Sequence, residues 1–359
     1  MSEESRKAAV LVTGAGGFVG HHVCRFLARR GFAVRGALRA RPSYAEEGVD
    51  YVATGDIDDH TDWQSALQGI DIVIHAAGTT EDFTEPLGRW LVAHNQINVA
   101  GTASLAQAAI DHGIKRLVFL SSVGVRAAER GEDPTGFETS KHEAEQMLRK
   151  TVADAALEHV VLRLPALYGP ERQDALRAMA EAILRDRPLP LASVQNQMSL
   201  LFVGNLVSAI EACLEHPAAA DRTFSISDGE VVSTPELAER LAEAMQHDLD
   251  LWPCPTPLLG LLAGFAGCGK EVRALTREVV FDDQEIVRDL GWQPPIEVDT
   301  ALQATVRSWD LEQAAREAPA RRPGLRGRLT DAVFDLGQWV VRMIRGRRDA
   351  RGADEAHST

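Results

Sequence analysis

The chain has 359 residues, of which 45% are hydrophobic and 25% are charged, and its formal net charge is −14. This composition is typical of a globular protein, and the length accommodates one large domain or two small ones. The acidic balance excludes a general nucleic-acid binder, because phosphate contacts require clustered lysine and arginine. The four cysteines show no metal-type spacing, which predicts reduced thiols in a cytoplasmic protein.

The first predicted strand, Ala8 to Thr13, runs directly into a glycine-rich turn that is followed by a predicted helix. Such a turn lets the backbone approach a pyrophosphate, and the helix start presents N–H groups and a dipole that favour an anion. Glycines alone are weak evidence, but strand, glycines and helix follow here in the order that dinucleotide binding requires. The candidate cofactor-binding residues of this turn are Gly14, Gly17, Phe18, Val19 and Gly20.

The second predicted strand, Ala33 to Leu38, ends at Arg39, and Arg41 follows closely. A carboxylate at this point would bind the adenosine ribose, whereas a cation accommodates a 2′-phosphate. We therefore expect NADP, with NAD as the alternative if the two arginines merely belong to a solvated loop. A third short strand precedes Asp56 and Ile57, where Asp56 would meet the adenine amino group or serve as a turn carboxylate.

The pattern of strands and helices then repeats. A fourth strand is followed by small residues that let the backbone approach a ligand, and a long helical segment and a fifth strand come next. This alternation predicts an α/β fold with a doubly wound parallel sheet and a ligand crevice at the carboxyl ends of the strands. The candidate site residues of this part are Ala76, Ala77, Gly78, Asn98 and Ser122.

Several motifs in one order resemble those of the extended short-chain dehydrogenase/reductases. They are TGAGGFVG (13–20), GDID (55–58), HAAG (75–78), NVAGT (98–102), LSS (120–122), SKHEAEQ (140–146) and LRLPALYGP (162–170). Segments 186–217 and 226–245 are similar to the nucleotide-sugar epimerase and 4-ketoreductase branch of bacterial polysaccharide pathways. The resemblance implies a Rossmann fold and an NAD(P)-dependent oxidoreductase or epimerase acting on a nucleotide-sugar-like small molecule, such as a UDP-sugar.

The resemblance also assigns roles to individual residues. It implies that Ser122 and Lys141 are catalytic, that Lys141 also holds the nicotinamide ribose, and that Leu164 completes the cofactor site. In that family a tyrosine four residues before the lysine exchanges the substrate hydroxyl proton, but this chain has Phe137 there. Phenylalanine has no ionisable group, and losing such a general acid–base typically lowers the rate by about 10²–10⁴-fold.

A second departure from the branch is Met198, which stands where the resemblance implies an arginine that clamps the UDP pyrophosphate. Methionine cannot provide the bidentate contact of a guanidinium. Two hypotheses therefore stay open. The first is an enzyme of the family with an atypical site, and the second is a non-catalytic NADP(H)-binding protein with a structural or sensing role.

Three regions are predicted along the chain. The NADP-binding Rossmann domain covers 1–164 with a returning segment at 200–227, and the smaller substrate-binding lobe covers the rest of 165–310. A basic linker and an amphipathic helical tail cover 318–359, with apolar residues at helical spacing and a cluster of arginines after them. Residues 329–351 of such a tail would contact an anionic membrane surface or dock on a partner. A homodimer is a further expectation.

The location of the protein is predicted from its ends and its apolar stretches. Residues 1–7 are short and polar, which leaves no room for a signal peptide, and the apolar stretch 257–268 is shorter than the roughly 20 residues that span a bilayer. We expect a cytoplasmic protein, with peripheral contact at the inner membrane surface if the tail binds lipid.

Overall fold

The computed structural model of the chain describes residues 7–40, 42, 45–79, 94–132, 134–172, 175–265 and 269–309. Contacts divide the chain into two units. The first unit contains the residues up to Pro165, Val203–Ser227 and Phe281–Pro295, and the second contains Ala166–Phe202, Asp228–Val280 and the residues from Ile296. The tail predicted for 318–359, its docking segment 329–351 and Arg41 lie outside the described residues.

Ten strands lie within the described residues. They are β1 (Ala9–Thr13), β2 (Ala33–Leu38), β3 (Val49–Ala53), β4 (Ile72–His75), β5 (Arg116–Ser122), β6 (Glu158–Leu164), β7 (Ala166–Tyr168), β8 (Met198–Phe202), β9 (Arg222–Ser225) and β10 (Val231–Val232).

Twelve α-helices belong to the same described part of the chain. They are α1 (Phe18–Arg29), α2 (Gln64–Leu67), α3 (Gly101–Asp111), α4 (Val125–Arg130), α5 (Gly136–Val152), α6 (Ala175–Leu184), α7 (Val203–Glu215), α8 (Thr234–Met245), α9 (Thr256–Phe265), α10 (Gly269–Thr276), α11 (Gln284–Leu290) and α12 (Val298–Arg307). A π-helical segment, Asn95–Ala100, leads into α3, and a short 3₁₀ turn, Pro217–Ala219, precedes β9. None of these helices combines the length and the apolar character that crossing a bilayer requires.

The first unit is built on a seven-stranded sheet in the order β3-β2-β1-β4-β5-β6-β9, and all its strand pairs are parallel. The residues of β1 and β4 are all buried, as expected for strands covered on both faces. The strand order reverses between β1 and β4, and open α/β sheets bind ligands outside the carboxyl ends of the strands at such a point. The predicted doubly wound parallel sheet is confirmed.

Helix α1 follows β1 because its sequence has one apolar stripe. Its buried residues, Gly20, Val23, Cys24 and Leu27, recur at the spacing that places them on one helix face. Helix α5 begins with a capping box, in which the Thr135 side chain accepts the Glu138 backbone N–H and the Glu138 side chain accepts the Thr135 backbone N–H. These local signals place the two helices that contain Phe18 to Gly20, Phe137 and Lys141.

The second unit contains a small sheet in the order β10-β8-β7, in which β8 pairs antiparallel with β10 and parallel with β7. Leu200 to Phe202 belong to this sheet, so the segment that returns to the first unit starts at Val203 rather than at 200. Met198, the first residue of β8, is buried and pairs with Val232.

The first unit also includes Phe281–Pro295, which the sequence boundaries placed in the second lobe. Helix α11 lies in this segment and packs on β9. Ile286 is fully buried there, and Asp289 forms an ion pair with Arg222 of β9. These contacts lie far apart along the chain, so local sequence patterns gave no sign of them.

The close contact between Gly20, in the first turn of α1, and Gly14 predicts that a side chain at Gly20 destabilises the protein. A Cβ at this position would lie 2.1 Å from the Gly14 carbonyl oxygen, so the turn would have to shift. We expect Gly20→Ala to lower the free energy of unfolding by about 1–3 kcal/mol, as overpacking does. Urea unfolding followed by circular dichroism measures this.

Gly260→Ala is the matched control, because Gly260 also lies in a helix but a Cβ there would meet nothing within 4 Å. We expect this substitution to be neutral or slightly stabilising. Equal effects of the two substitutions would contradict the packing argument.

Candidate active site at the carboxyl ends of the parallel strands

The glycine-rich turn brings β1 against the end of β4. Gly14 has a φ of +67°, and a Cβ on it would lie 2.7 Å from the Ala77 Cα and 3.1 Å from the Ala76 carbonyl carbon. Gly17 donates its N–H to the Gly14 carbonyl at 2.9 Å, which tightens the turn. Only glycine allows this close approach of two backbones, and it brings Gly14 and Gly20 together with Ala76 and Ala77.

The start of α1 has the properties of an anion site. Its N-cap is Gly17, no side chain caps the helix, and the first turn contains no acidic residue. A twelve-residue helix beginning at Phe18 and Val19 directs its dipole at the turn. These features fit a pyrophosphate group at the helix start.

The residues predicted for the adenosine end lie at the ends of β2 and β3. The Arg39 guanidinium Nε lies 2.8 Å from the Asp56 carboxylate, and both side chains are more than 70% exposed. Ile57 packs on the start of α3, where a Cβ on Gly101 would lie 2.6 Å from the Ile57 Cγ2. Arg39 and Asp56 were predicted as separate ligands, but the structure pairs them with each other.

A chain of hydrogen bonds runs through the buried His75 at the end of β4. The Ala77 N–H donates to the Thr13 hydroxyl at 3.2 Å, and that hydroxyl lies 2.7 Å from His75 Nδ1. His75 Nε2 lies 3.0 Å from the Thr102 hydroxyl, which donates to the Asn98 carbonyl at 2.5 Å. Since Thr102 gives its only proton to Asn98, His75 must donate from Nε2 and accept at Nδ1.

Burial, with a smaller effect from the Lys141 charge, lowers the pKa of His75 to about 3. The ring is therefore neutral at physiological pH and serves as a structural link rather than as an acid.

Asn98 connects the π-helical segment to the loop after β4. Its Oδ1 accepts the Thr79 backbone N–H at 3.0 Å, and its Nδ2 donates to the Ser140 hydroxyl at 2.9 Å. A Cβ on Gly78 would lie 3.0 Å from Asn98 Oδ1 and 3.2 Å from Lys141 Nζ. Gly78, Asn98 and Lys141, which the sequence predicted as site residues, therefore surround one point of the backbone.

Lys141 is buried on α5, with 6% of its surface exposed. Its ammonium donates to the Leu120 carbonyl at 2.9 Å and lies 4.7 Å from the centre of the Phe119 ring. Burial lowers the pKa of Lys141 to about 8, and the charge of Glu145 opposes this shift. The side chain is thus held at the end of β5, where it can donate a hydrogen bond to a ligand.

Ser122 and Phe137 lie at the same edge of the sheet. Ser122 ends β5, is half-buried, and accepts the Gly124 backbone N–H on its Oγ at 3.1 Å. Phe137 lies one turn before Lys141 on α5 and packs edge-on against His94, with 6.2 Å between the ring centres. Leu164 lies farther along the sheet at the end of β6, where its carbonyl accepts the Val123 N–H.

Two tyrosines lie in the described residues, Tyr51 and Tyr168, and neither belongs to α5. Tyr51 belongs to β3, where its ring packs against Gly36. Tyr168 belongs to the second unit and donates its hydroxyl to Asp228 at 2.8 Å. Burial and the Asp228 charge raise the pKa of Tyr168. Tyr44 lies outside the described residues.

A buried ion cluster lies one turn beyond Lys141. Glu145 accepts hydrogen bonds from Ser121 at 2.6 Å, from two nitrogens of Arg163 at 2.7 and 3.0 Å, and from Arg149 at 2.9 Å. Burial alone would raise the pKa of the Glu145 carboxyl, but Arg163 and these hydrogen bonds outweigh burial, so the pKa is lowered. The cluster holds α5 against β5 and β6. It thereby sets the position of Lys141 relative to the carboxyl end of β5.

Sequence reasoning missed Thr79, His94 and Ser140. The hydrogen bonds of Thr79 and Ser140 to Asn98 are contacts between separate segments, which periodicity does not reveal. One local signal existed: His94 precedes Asn98 by four residues, the spacing of one helical face.

A comparison with known protein families identifies the family of this chain. The model of the "NAD dependent epimerase/dehydratase family" matches residues 10–227. The chain belongs to this family. The match covers the glycine turn, the Asn98 and Lys141 positions and all strands of the parallel sheet, so the resemblance read from the motifs is confirmed.

Individual members of the epimerase/dehydratase family show how far the similarity extends. A UDP-glucose 4-epimerase of Vibrio cholerae is 31% identical over 318 residues, which are 84% of this chain and 95% of the relative. A 2-alkyl-3-oxoalkanoate reductase of Stenotrophomonas maltophilia is 30% identical over 257 residues, 66% of this chain and 75% of the relative. The crystal structure of a Bacillus cereus UDP-glucuronic acid 4-epimerase with UDP-glucuronic acid and NAD shares the fold. Its TM-score is 0.68 at 19% identity, covering 85% of this chain and 99% of that chain.

The ion cluster predicts that Glu145→Gln destabilises the protein. The substitution leaves the Arg163 charge with Glu129 as its remaining carboxylate partner. Removing one partner of a buried pair costs about 3–5 kcal/mol, and the Glu129 pair reduces this, so we expect a loss near 3 kcal/mol. Urea unfolding measures it.

Glu143→Gln serves as the control, because Glu143 is a half-buried glutamate on the same helix and the substitution removes the same charge. A Glu145→Gln protein as stable as the Glu143→Gln protein would show that the cluster does not anchor α5.

Proposed function

We propose that the protein is an NAD(P)-dependent oxidoreductase or epimerase that acts on a nucleotide-sugar-like substrate. The observation that carries the proposal is the cluster of Gly78, Asn98 and Lys141 beside an uncapped glycine turn. Ser122 lies two residues beyond Leu120, whose carbonyl accepts from the Lys141 ammonium. The turn fits the pyrophosphate of a dinucleotide, and Lys141 fits the hydroxyls of a ribose. A nicotinamide cofactor bound here would accept or return a hydride at the substrate carbon.

The substrate class is supported by the V. cholerae relative, which is named for UDP-glucose. The match with this chain covers 95% of that relative. A second relative is named for a keto acid, so the family relationship does not fix the substrate. Met198, in place of the expected arginine, is buried and offers no contact to a diphosphate. We therefore place a UDP-sugar first and an alkyl keto acid second in any substrate test.

The preferred cofactor follows from the charges at the end of β2. Arg39 is a cation at the position where a 2′-phosphate would lie, which favours NADP. Its exposed pair with Asp56 would exchange for a pair with that phosphate. NAD, which the B. cereus structure contains, is the alternative cofactor.

A non-catalytic function is the second proposal, and Phe137 favours it. Such a protein would bind NADP(H) in the same crevice and serve as a structural or sensing component, with residues 329–351 as its contact to a membrane or a partner. The proposal predicts cofactor binding without turnover. Both proposed proteins bind the cofactor in the same way. The non-catalytic one lacks a group that transfers the substrate proton.

If Arg39 binds the 2′-phosphate of NADP, Arg39→Ala should weaken NADPH binding and leave NADH binding unchanged. We expect the dissociation constant for NADPH to rise about tenfold, as loss of one exposed charged hydrogen bond implies, and the constant for NADH to change little. Asp56→Asn should strengthen NADPH binding because it releases Arg39. Isothermal titration measures both, and Arg29→Ala, at the far end of α1, removes the same charge as a control. An equal loss for NADH and NADPH would contradict the 2′-phosphate assignment.

Turnover distinguishes the two proposals. The purified chain is incubated with NADP⁺ or NAD⁺ and with UDP-glucose, UDP-galactose, a 4-keto UDP-sugar or an alkyl keto acid, and products are measured by mass spectrometry. We expect conversion of a UDP-sugar by the native chain. Binding without conversion, together with a gain of about 100-fold or more in Phe137→Tyr, would instead support the non-catalytic protein.

A further inference from the structure

Two side chains that no motif assigned lie beside Phe137. Thr79 follows Gly78, whose backbone approaches the Lys141 ammonium, and Thr79 is half-buried. His94 is 1% exposed, packs edge-on against the Phe137 ring, and has its Nδ1 2.9 Å from the Thr79 hydroxyl. An alcohol and an imidazole therefore form a hydrogen-bonded pair next to the ring that replaces the family's phenol.

The surrounding hydrogen bonds bear on which member of this pair donates the hydrogen bond. The Thr79 N–H can only donate, so the Asn98 atom that it meets is the oxygen, and the other amide atom is the nitrogen. That nitrogen also donates to the Ser140 hydroxyl, which gives its own proton to the Phe137 carbonyl at 2.8 Å. It lies 3.1 Å from His94 Nδ1 as well, so this ring nitrogen faces an amide donor. The same amide nitrogen lies 3.3 Å from the Thr79 carbonyl oxygen. We assign His94 the tautomer with its proton on Nε2, in which Nδ1 accepts from the Thr79 hydroxyl.

We propose that the Thr79–His94 pair takes up and returns the substrate hydroxyl proton in the place of the missing phenol. The inference rests on the proposed oxidoreductase function and names the proton route of that same site. With its hydrogen directed at His94, the Thr79 oxygen presents lone pairs to a hydroxyl bound beside Gly78. His94 is the buried acceptor behind it.

The step balances without any further reactant. In the oxidative direction the carbinol C–H bond breaks and its electron pair passes with the hydrogen to the nicotinamide ring. The substrate O–H proton passes to Thr79 Oγ1, and the Thr79 proton passes to His94 Nδ1. A ketone, reduced nicotinamide and an imidazolium result, and the reverse transfers return the proton when the ketone is reduced.

The charges around His94 suit a proton that must be returned. Burial, and then the charge of Lys141, lower the pKa of His94. The ring is therefore neutral near pH 7 and able to accept a proton, and it holds that proton weakly. An epimerase needs both properties, because the same site oxidises the sugar and then reduces it.

Kinetics of paired variants test the proposal. Thr79→Val and His94→Gln should each lower kcat for the UDP-sugar by about 100-fold or more with little change in KM, whereas Thr79→Ser should stay near the native value. The double variant should lose no more than the worse single variant, since the residues act as a unit. Adding Phe137→Tyr to Thr79→Val should restore turnover, which a merely structural defect would not allow. Thr151→Val and His112→Gln, on the outer sides of α5 and α3, are the controls.

A readout without substrate or cofactor tests the pair directly. Nitrogen-15 NMR of the imidazole rings, assigned by the loss of signals in His94→Gln, should show His94 unprotonated at Nδ1 and protonated at Nε2 at pH 7. A proton on Nδ1 would overturn the proposal, as would turnover within threefold of native in both Thr79→Val and His94→Gln. A native chain that converts no UDP-sugar or keto acid would contradict the proposed function and the pair's role together, whereas turnover that survives both substitutions would contradict the pair alone.

Discussion

The site depends on one buried imidazole. His75 accepts from Thr13 at the end of β1 and donates to Thr102 on α3, so a single neutral ring ties the glycine turn, the end of β4 and the Asn98 helix together. Its low pKa keeps it in the one form that can make both bonds. Because these bonds are shielded from water, losing one would leave a buried polar group unsatisfied at a cost of about 1–3 kcal/mol. The chain reaches Ala77, the neighbour of Gly78, at one end and Asn98, which binds the Thr79 N–H, at the other.

Around that link, two kinds of constraint place the chemical groups. Absent side chains allow close approach, of the Gly14 backbone to the Ala77 backbone and of the Lys141 ammonium to Gly78. Buried charges set the orientation of α5, because Glu145 satisfies Arg163, Arg149 and Ser121 at once. Sterics thus shape the crevice for a dinucleotide, and electrostatics hold the lysine in it. Phe137 takes part in neither the glycine contacts nor the Glu145 ion cluster.

Much of this architecture was predictable from the sequence. Apolar runs of strand length predicted the parallel strands, and the order of strand, glycines and helix predicted the turn at Gly14 to Gly20. The parts that were missed depend on contacts between distant segments. Helix α11 joins β9 through Ile286 and Asp289, Arg39 pairs with Asp56 across two strands, and His94 meets Thr79 only after folding. Local periodicity contains no information about such contacts.

The proposed activity requires the chain to pass a hydrogen between a sugar carbon and a nicotinamide ring held in its own crevice. The most direct measurement incubates the native protein with a 4-keto UDP-sugar and with NADPH or NADH that carries two deuterium atoms at C4 of the nicotinamide ring. Mass spectrometry of the sugar nucleotide locates the label. We expect deuterium at C4 of the hexose. A hexose without deuterium, while the labelled cofactor is demonstrably bound, would contradict this transfer.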